Sequence, residues 1–316
     1  MLALVGRRLG LGVITILIVT LFVYWATLIL PGNAATAILG QQATPQRIAQ
    51  LKQKLHLNQS PLAGYWHWFT SLLHGNSGTS LVNGQSVAHQ LLPRLENSAI
   101  LVLITTLVST ILGVALGVIT ARVRDSAADH VVSVISLAAS SLPEFVASVF
   151  VIYLFSVNVF HWFPSVSVLA PGQPIWREPS KLVLPVLALV VVVTPYVIRM
   201  MRAAMIEALN SEYVEVARLK GLPERTVLLR HALPNALPPT IAVIGLNILY
   251  LAGGIVLVEA VFNFPGIGYA LVSSVNNRDV PVIQYIVLLL ATFYVVLNIV
   301  IDVLVLLVTP RRRVAK

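Results

Sequence analysis

The amino-acid sequence predicts an all-α membrane protein with six transmembrane helices. Three observations carry that expectation. Charged residues make up only 10% of the 316, against roughly 25% in a soluble domain. Hydrophobic residues reach 57% and the mean hydropathy is +0.87, more apolar surface than a soluble fold of this length can hide, so lipid must cover much of it. Finally, six apolar runs reach the ~20 helical residues that cross a ~30 Å hydrocarbon core.

In chain order the runs are Leu9–Leu30, Ala99–Ala121, Val131–Phe160, Leu182–Met201, Thr240–Val258 and Val282–Val308. The first follows Arg7 and Arg8 as a secretory signal would. It exceeds the ~7–15 residues of a signal core and lacks a small-residue cleavage site, so it reads as a retained helix. The third and sixth are longer than a crossing needs, which implies tilt or a break. Pro143 kinks the third, and Pro195 does the same near the end of the fourth. The chain thus divides into the N-terminus and first transmembrane helix (1–30), an extracytoplasmic loop (31–97) and a five-helix core (98–316) that contains a loop at 202–239.

Charge sets the expected orientation. With the N-terminus inside, Arg7, Arg8, Arg122, Arg124, Arg199, Arg202, Arg218, Lys220, Arg225, Arg230, Arg311, Arg312, Arg313 and Lys316 are cytoplasmic. That is 14 of the 21 cationic side chains, although the outer segments are longer in total. Cytoplasmic loops carry such an excess. The net charge of +9 is therefore topological and does not imply nucleic acid. The outer loop has helical periodicity over Pro45–Leu57, then Tyr65, Trp66, Trp68 and Phe69, which suit a membrane–water interface or a lid.

The loop at 202–239 is the most informative segment. Ser211 can cap a short helix, with Glu212 in its first turn and Lys220 in its last, complementing the helix dipole. Gly221 stops it. Pro223 opens a second helix to about Ala232, and Pro234 marks another break. The expected product is a helix–turn–helix in which Tyr213, Val216 and Ala217 share one side. Rimmed by Glu215, Arg218 and Arg225, that side either docks into a groove of another protein or rests on lipid.

The same residues resemble the permease subunits of binding-protein-dependent ABC importers. Those subunits carry Glu-Ala-Ala, three residues, Gly, nine residues, then Ile-x-Leu-Pro. Here the pattern reads Glu215-Val216-Ala217, Gly221 and His231-Ala232-Leu233-Pro234. The spacing is complete, with Val216 in place of the second Ala and His231 in place of Ile. The fuller form, with Tyr213-Val214, Arg218, Lys220-Gly221-Leu222, Val227 and Asn235, is similar to the dipeptide/oligopeptide/nickel branch. Arg7-Arg8-Leu9, Leu30-Pro31-Gly32-Asn33-Ala34, Leu55-His56-Leu57-Asn58, Gly78-Thr79-Ser80 and Glu259-x-Val261-Phe262-x-x-Pro265-Gly266-Ile267-Gly268 resemble that branch's first permease type. Asn33 stands where Asp is usual there. Asp302 and Pro310-Arg311 resemble its C-terminal end, with Thr309 in place of Asp.

The resemblance implies an ABC importer permease fold with a cytoplasmic coupling helix, in the cytoplasmic (inner) membrane of a bacterium, both termini cytoplasmic. It implies a transport subunit, not an enzyme, that encloses half of a peptide path; nickel, glutathione or another small solute is the alternative cargo. The implied partners are a second homologous permease, two ABC ATPase subunits and an extracytoplasmic substrate-binding protein. ATP and Mg belong to the ATPases, and this chain binds no cofactor. Coupling to the ATPase falls to Tyr213, Glu215, Val216, Ala217, Arg218, Lys220, Gly221, Leu233 and Pro234. An ion-driven secondary transporter is the main rival, but it calls for more mid-membrane charges than this sequence carries.

No catalytic or metal constellation is legible. There are no cysteines and no Gly-x-x-x-x-Gly-Lys-Ser/Thr phosphate loop. Gly266 and Gly268 lack the strand such a loop follows, and a re-entrant turn is expected there. Four of the seven histidines, His56, His67, His74 and His89, lie in the outer loop, but none forms an i, i+4 pair. An intramembrane charge costs at least ~2.5–3.5 kcal/mol on insertion scales, which singles out Glu144, Glu259 and Asp302. Glu144, with Phe145 beside it, either faces the path and meets a peptide's ammonium group or pairs with a neighbouring helix. Glu259 is expected to cap an outer turn, and Asp302 to pair with a basic residue. Gly113 and Gly117 form a small-xxx-small pair, and Gly253-Gly254 a second small site, both suited to close helix packing.

Overall fold

A computed structural model describes residues 2–29, 44, 46, 60–169 and 173–308. Apart from Gln46, the helix expected over Pro45–Leu57 lies outside the described residues, as do the motifs at 30–34 and 55–58, and Thr309, Pro310 and Arg311. Ten helices matter: α1 (Leu2–Ile29), α2 (Pro61–Leu73), α3 (Val87–Arg122), α4 (Ala127–Ser140), α5 (Glu144–Ile152), α6 (Ser180–Leu209), α7 (Glu212–Leu219), α8 (Leu233–Phe262), α9 (Ile267–Asn277) and α10 (Val280–Val308). No strand occurs among the described residues. Five helices are long and apolar enough to cross a membrane, or six spans if the bent pair α4–α5 counts as one.

That pair is the expected third span, broken at Pro143 and bent further than a kink. It is two helices meeting at 107°, not one kinked helix. Pro143 cannot donate to the preceding turn and forces Leu142 out of the helical region; Pro143 itself is extended, at φ −60° and ψ 147°. The hydroxyls of Ser140 and Ser141 both donate to the Leu137 carbonyl, satisfying an acceptor that the broken helix strands. The other prolines act differently. Pro93, Pro185 and Pro195 lie inside continuous helices, and α6 runs eight residues past the expected end at Met201.

The chain packs as two compact units. The first takes the described residues of Met1–Asn97 and Pro265–Ile299. Within it, α2 lies on α1 through aromatics: Tyr65 meets Tyr24 edge-on at 5.6 Å, and its hydroxyl hydrogen-bonds Thr20 at 3.0 Å. Tyr65 is buried while Trp66 is exposed. Gln284 of α10 donates to Thr27 of α1 at 3.0 Å. Val87, Leu91, Ile267, Ala270, Val282 and Ile286 form this unit's apolar centre. The Gly78-Thr79-Ser80 turn is tied down by buried Asp279, which accepts from the Ser80 hydroxyl and from the Leu81 amide at 3.0 Å.

The second unit takes the described residues of Ser98–Phe264 and Val300–Lys316, with α6 at its centre. Between membrane helices lipid supplies no hydrophobic drive, so close approach and polar bonds hold them together. Gly113 and Gly117 provide the approach. A Cβ on Gly113 would lie 2.5 Å from Val197, and one on Gly117 would lie 2.9 Å from the Ile198 carbonyl. Asn247 of α8 donates to the Val193 carbonyl of α6 at 3.2 Å. Arg202 of α6 holds Asp129 of α4 with two hydrogen bonds, Nε to Oδ1 at 2.7 Å and Nη2 to Oδ2 at 2.6 Å. Glu259, expected to cap an outer turn, stands in the last turn of α8. Its side chain is wholly buried and accepts from the Ser98 hydroxyl at 2.6 Å, which neutralises part of its desolvation. The turn after α8 is closed by backbone, with Asn263 left-handed at φ 48° and the Phe264 amide donating to the Glu259 carbonyl at 2.9 Å. Asp302 lies half-buried on α10.

Candidate functional site

Beyond Leu209 the chain turns at Asn210 and Ser211 into α7. Ser211 takes the extended cap conformation, φ −83° and ψ 149°, but its hydroxyl donates back to the Ala208 carbonyl. The expected side-chain cap is therefore absent. The Ser211 carbonyl receives the Val214 and Glu215 amides at 3.0 and 3.2 Å, and Glu212 and Glu215 in the first turn complement the dipole.

At the other end Gly221 is left-handed, φ +75°. Its amide donates to the Arg218 carbonyl at 2.9 Å, and the Leu222 amide reaches the Ala217 carbonyl at 3.4 Å. This is the two-bond Schellman closure that a C′ glycine permits. Arg218 then clamps the turn: Nη2 meets Glu224 Oε1 at 2.8 Å and Nε meets Oε2 at 3.3 Å. That carboxylate raises the Arg218 pKa above its ordinary value by hydrogen-bonding the charged form.

The segment after Pro223 departs from expectation. No separate second helix ends at Ala232, and Pro234 marks no break. One helical turn at Glu224–Thr226 passes through a wider π turn at Val227–Ala232 straight into α8. Pro234 falls in the first turn of α8, where its missing amide is tolerated, and the π turn supplies the register change that a mid-helix proline needs.

Burial sorts the expected coupling residues into two sides of α7. Val214 and Ala217 point inward, against a buried cluster that includes Met201, Met205, Val227 and Ala236. Tyr213, Val216 and Leu219 remain outside, 44%, 48% and 81% exposed. Ala217 thus sits with the inner side, not beside Tyr213 and Val216 as expected. Leu219 was missed in the sequence, although its i+3 spacing from Val216 was visible. Glu215, Arg218, Lys220, Gly221 and Pro234 are exposed, and Leu233 is half-buried. The result is an amphipathic peg whose inner face is locked to α6 and whose outer face is apolar with a charged rim.

Glu144 opens α5 and is half-buried. It packs on Gly254, where a Cβ would lie 2.7 Å from its Oε1, one helical turn from Tyr250. Gly254 is on α8, so the carboxyl does engage a neighbouring helix. Phe145 is exposed beside it. Gly253 faces open space. Pro265-Gly266-Ile267-Gly268 leads into α9, with Ile267 and Gly268 buried. Among the described residues no three His, Asp or Glu side chains gather as a metal site would require.

Comparison with known proteins identifies the family. The model of the "binding-protein-dependent transport system inner membrane component" family matches residues 113–314, and that of the N-terminal region of such membrane components matches residues 1–98. A probable peptide ABC transporter permease protein, y4tP of Sinorhizobium fredii, is 34% identical, covering 97% of this chain and 98% of its own. The glutathione transport system permease proteins GsiC of Salmonella choleraesuis and Escherichia coli are each 35% identical. They cover 97% and 98% of this chain, and the same shares of their own.

Proposed function

Because the chain belongs to the family of binding-protein-dependent transport system inner membrane components, we propose that it forms half of a path that carries peptides across the bacterial inner membrane. It is a multi-pass permease subunit of an ABC importer. Its partners in this reading are a second homologous permease, two ABC ATPases and an extracytoplasmic binding protein. ATP and Mg bind the ATPases, and hydrolysis happens there alone. The cationic side chains, with 14 of 21 on one side, support cytoplasmic termini; this parity requires the bent pair α4–α5 to cross as one span.

The observation that carries the reading is α7 as a rigid peg. Tyr213, Val216 and Leu219 seat in a groove of the ATPase, with Glu215 and Lys220 at the rim. Val214 and Ala217 transmit the displacement to Met201 and Met205 of α6, the helix around which the second unit is built. Closure of the ATPase pair on ATP tilts α6 and its neighbours between inward-open and outward-open arrangements. ATP binding biases this two-state element because the peg is bound differently in each state. Glu144 and Phe145 line the path in this reading. Glutathione is the second cargo, favoured by the GsiC relatives.

Co-expression with an ATPase subunit tests the docking. The unmodified permease is expected to copurify with it, and Val216→Asp or Glu215→Lys to lose it while still inserting in the membrane. Undiminished copurification of both variants would refute the peg.

A further inference from the structure

Along one exposed side of the second unit, α5, α6 and α8 carry an acid, two phenols and a base. Glu144 occupies the space that Gly254 leaves open, one helical turn from Tyr250 on α8. The Tyr250 ring lies 6.4 Å from that of Tyr196. The Arg199 guanidinium sits 5.2 Å from the Tyr196 ring centre, within cation–π range. Tyr196 and Tyr250 are exposed, as is Arg199. Leu246, Gly253 and Leu257 continue the exposed row of α8 at helical spacing from Tyr250.

Two features point to a ligand. Glu144 opens α5 inside the third apolar run, where an ionisable side chain is costly against lipid and tolerable beside a water-filled path; Arg199 lies toward the cytoplasmic end of α6. Neither forms an ion pair among the described residues. They are held apart by two aromatic rings, so they cannot neutralise each other. An acid and a base kept separate, with an aromatic floor between them, complement a zwitterion that has an apolar or peptide-bonded middle. The steps from the Tyr250 ring to the Tyr196 ring and on to the Arg199 guanidinium, 6.4 and 5.2 Å, together extend no further than about three to four extended residues, at ~3.3–3.6 Å each.

We propose that this strip is a cargo-contact site for short peptides with free termini, the ammonium group meeting Glu144 and the carboxylate meeting Arg199. The inference rests on the permease reading and names the cargo's two recognised ends. It assigns no role in ATP coupling to these residues.

The test uses the complete importer in proteoliposomes, with its binding protein, and measures trialanine uptake and binding-protein-stimulated ATPase activity in the same preparation. Glu144→Gln and Arg199→Gln are each expected to lower uptake about tenfold, the loss of one charge-assisted contact. Stimulated ATPase activity stays near that of the unmodified complex. Val134→Ala, on the exposed face of α4, leaves both unchanged. Undiminished uptake in both charge variants overturns the cargo site and leaves the importer reading standing. Loss of subunit assembly or of ATPase stimulation in either variant also overturns it, because the strip then serves the second permease instead of cargo. An unmodified complex that hydrolyses ATP on stimulation yet moves no trialanine refutes the peptide reading and this site with it.

Discussion

Gly221 gives the sharpest handle on the elbow that the proposed coupling requires. A Cβ there meets nothing within 4 Å, yet the backbone stands at φ +75°. Space is therefore no obstacle, and a substitution acts through backbone conformation alone. A left-handed L-residue costs roughly 1–2 kcal/mol, more for a β-branched one and less for Asn, which tolerates that region. The alternative to strain is to abandon the two closing bonds, to the Arg218 and Ala217 carbonyls, at ~0.5–1.5 kcal/mol each. Either route raises the open population of the elbow by roughly 5–30-fold without disturbing the spans. Uptake and hydrogen exchange over 212–222 are thus expected to follow the order Gly, Asn, Ala, Val, with Gly221→Val the least active and the fastest exchanging. Insertion and total protein remain unchanged. Equal uptake in Gly221→Val and Gly221→Asn, with exchange accelerated only in the Val variant, would refute the claim that a closed elbow is needed for coupling.

Further outcomes follow from the second unit. Gly117→Val drives a side chain into the Ile198 carbonyl and Met201, and overpacking of this kind costs ~1–3 kcal/mol; thermal unfolding in detergent should shift down, more than for Gly253→Val, which faces open space. Arg202→Ala leaves Asp129, 3% exposed, without its guanidinium. Breaking a buried pair costs ~3–5 kcal/mol, and with the Arg202 side chain 29% exposed the expected loss is about 1–3 kcal/mol, partly recovered by adding Asp129→Asn in a double-mutant cycle. Reporter fusions at the two termini should both read cytoplasmic; opposite locations would mean that α4–α5 is re-entrant and that five helices cross.

The spans were legible because lipid imposes a length and forbids charge, and both are local properties of sequence. So was the stop at Gly221, since few residues adopt a left-handed cap. What escaped was non-local. Pro143 announced a disruption, but whether the helix kinks or turns through 107° depends on what stabilises the loose end, here Ser140 and Ser141 on Leu137. Polar residues in Val87–Glu96 hid the early start of α3, which packs its apolar residues at Val87 and Leu91. The spacing of Tyr213, Val216 and Ala217 defined a helix face but not which edge of it the chain itself would cover; burial of Val214 moved Ala217 inward. Ser98 and Glu259 lie 161 positions apart, as invisible to a local reading as the meeting of Glu144 with Gly254.

The absence of cysteine makes the central claim directly measurable. Leu219→Cys places a single thiol on the most exposed apolar position of α7. In the assembled importer, a short thiol-directed photo-crosslinker at that position should join this chain to an ATPase subunit, with a yield that changes between nucleotide-free and ATP-trapped states. Crosslinking only to lipid, or equal labelling of the ATPase from Leu219→Cys and from Val134→Cys on α4, would contradict the account.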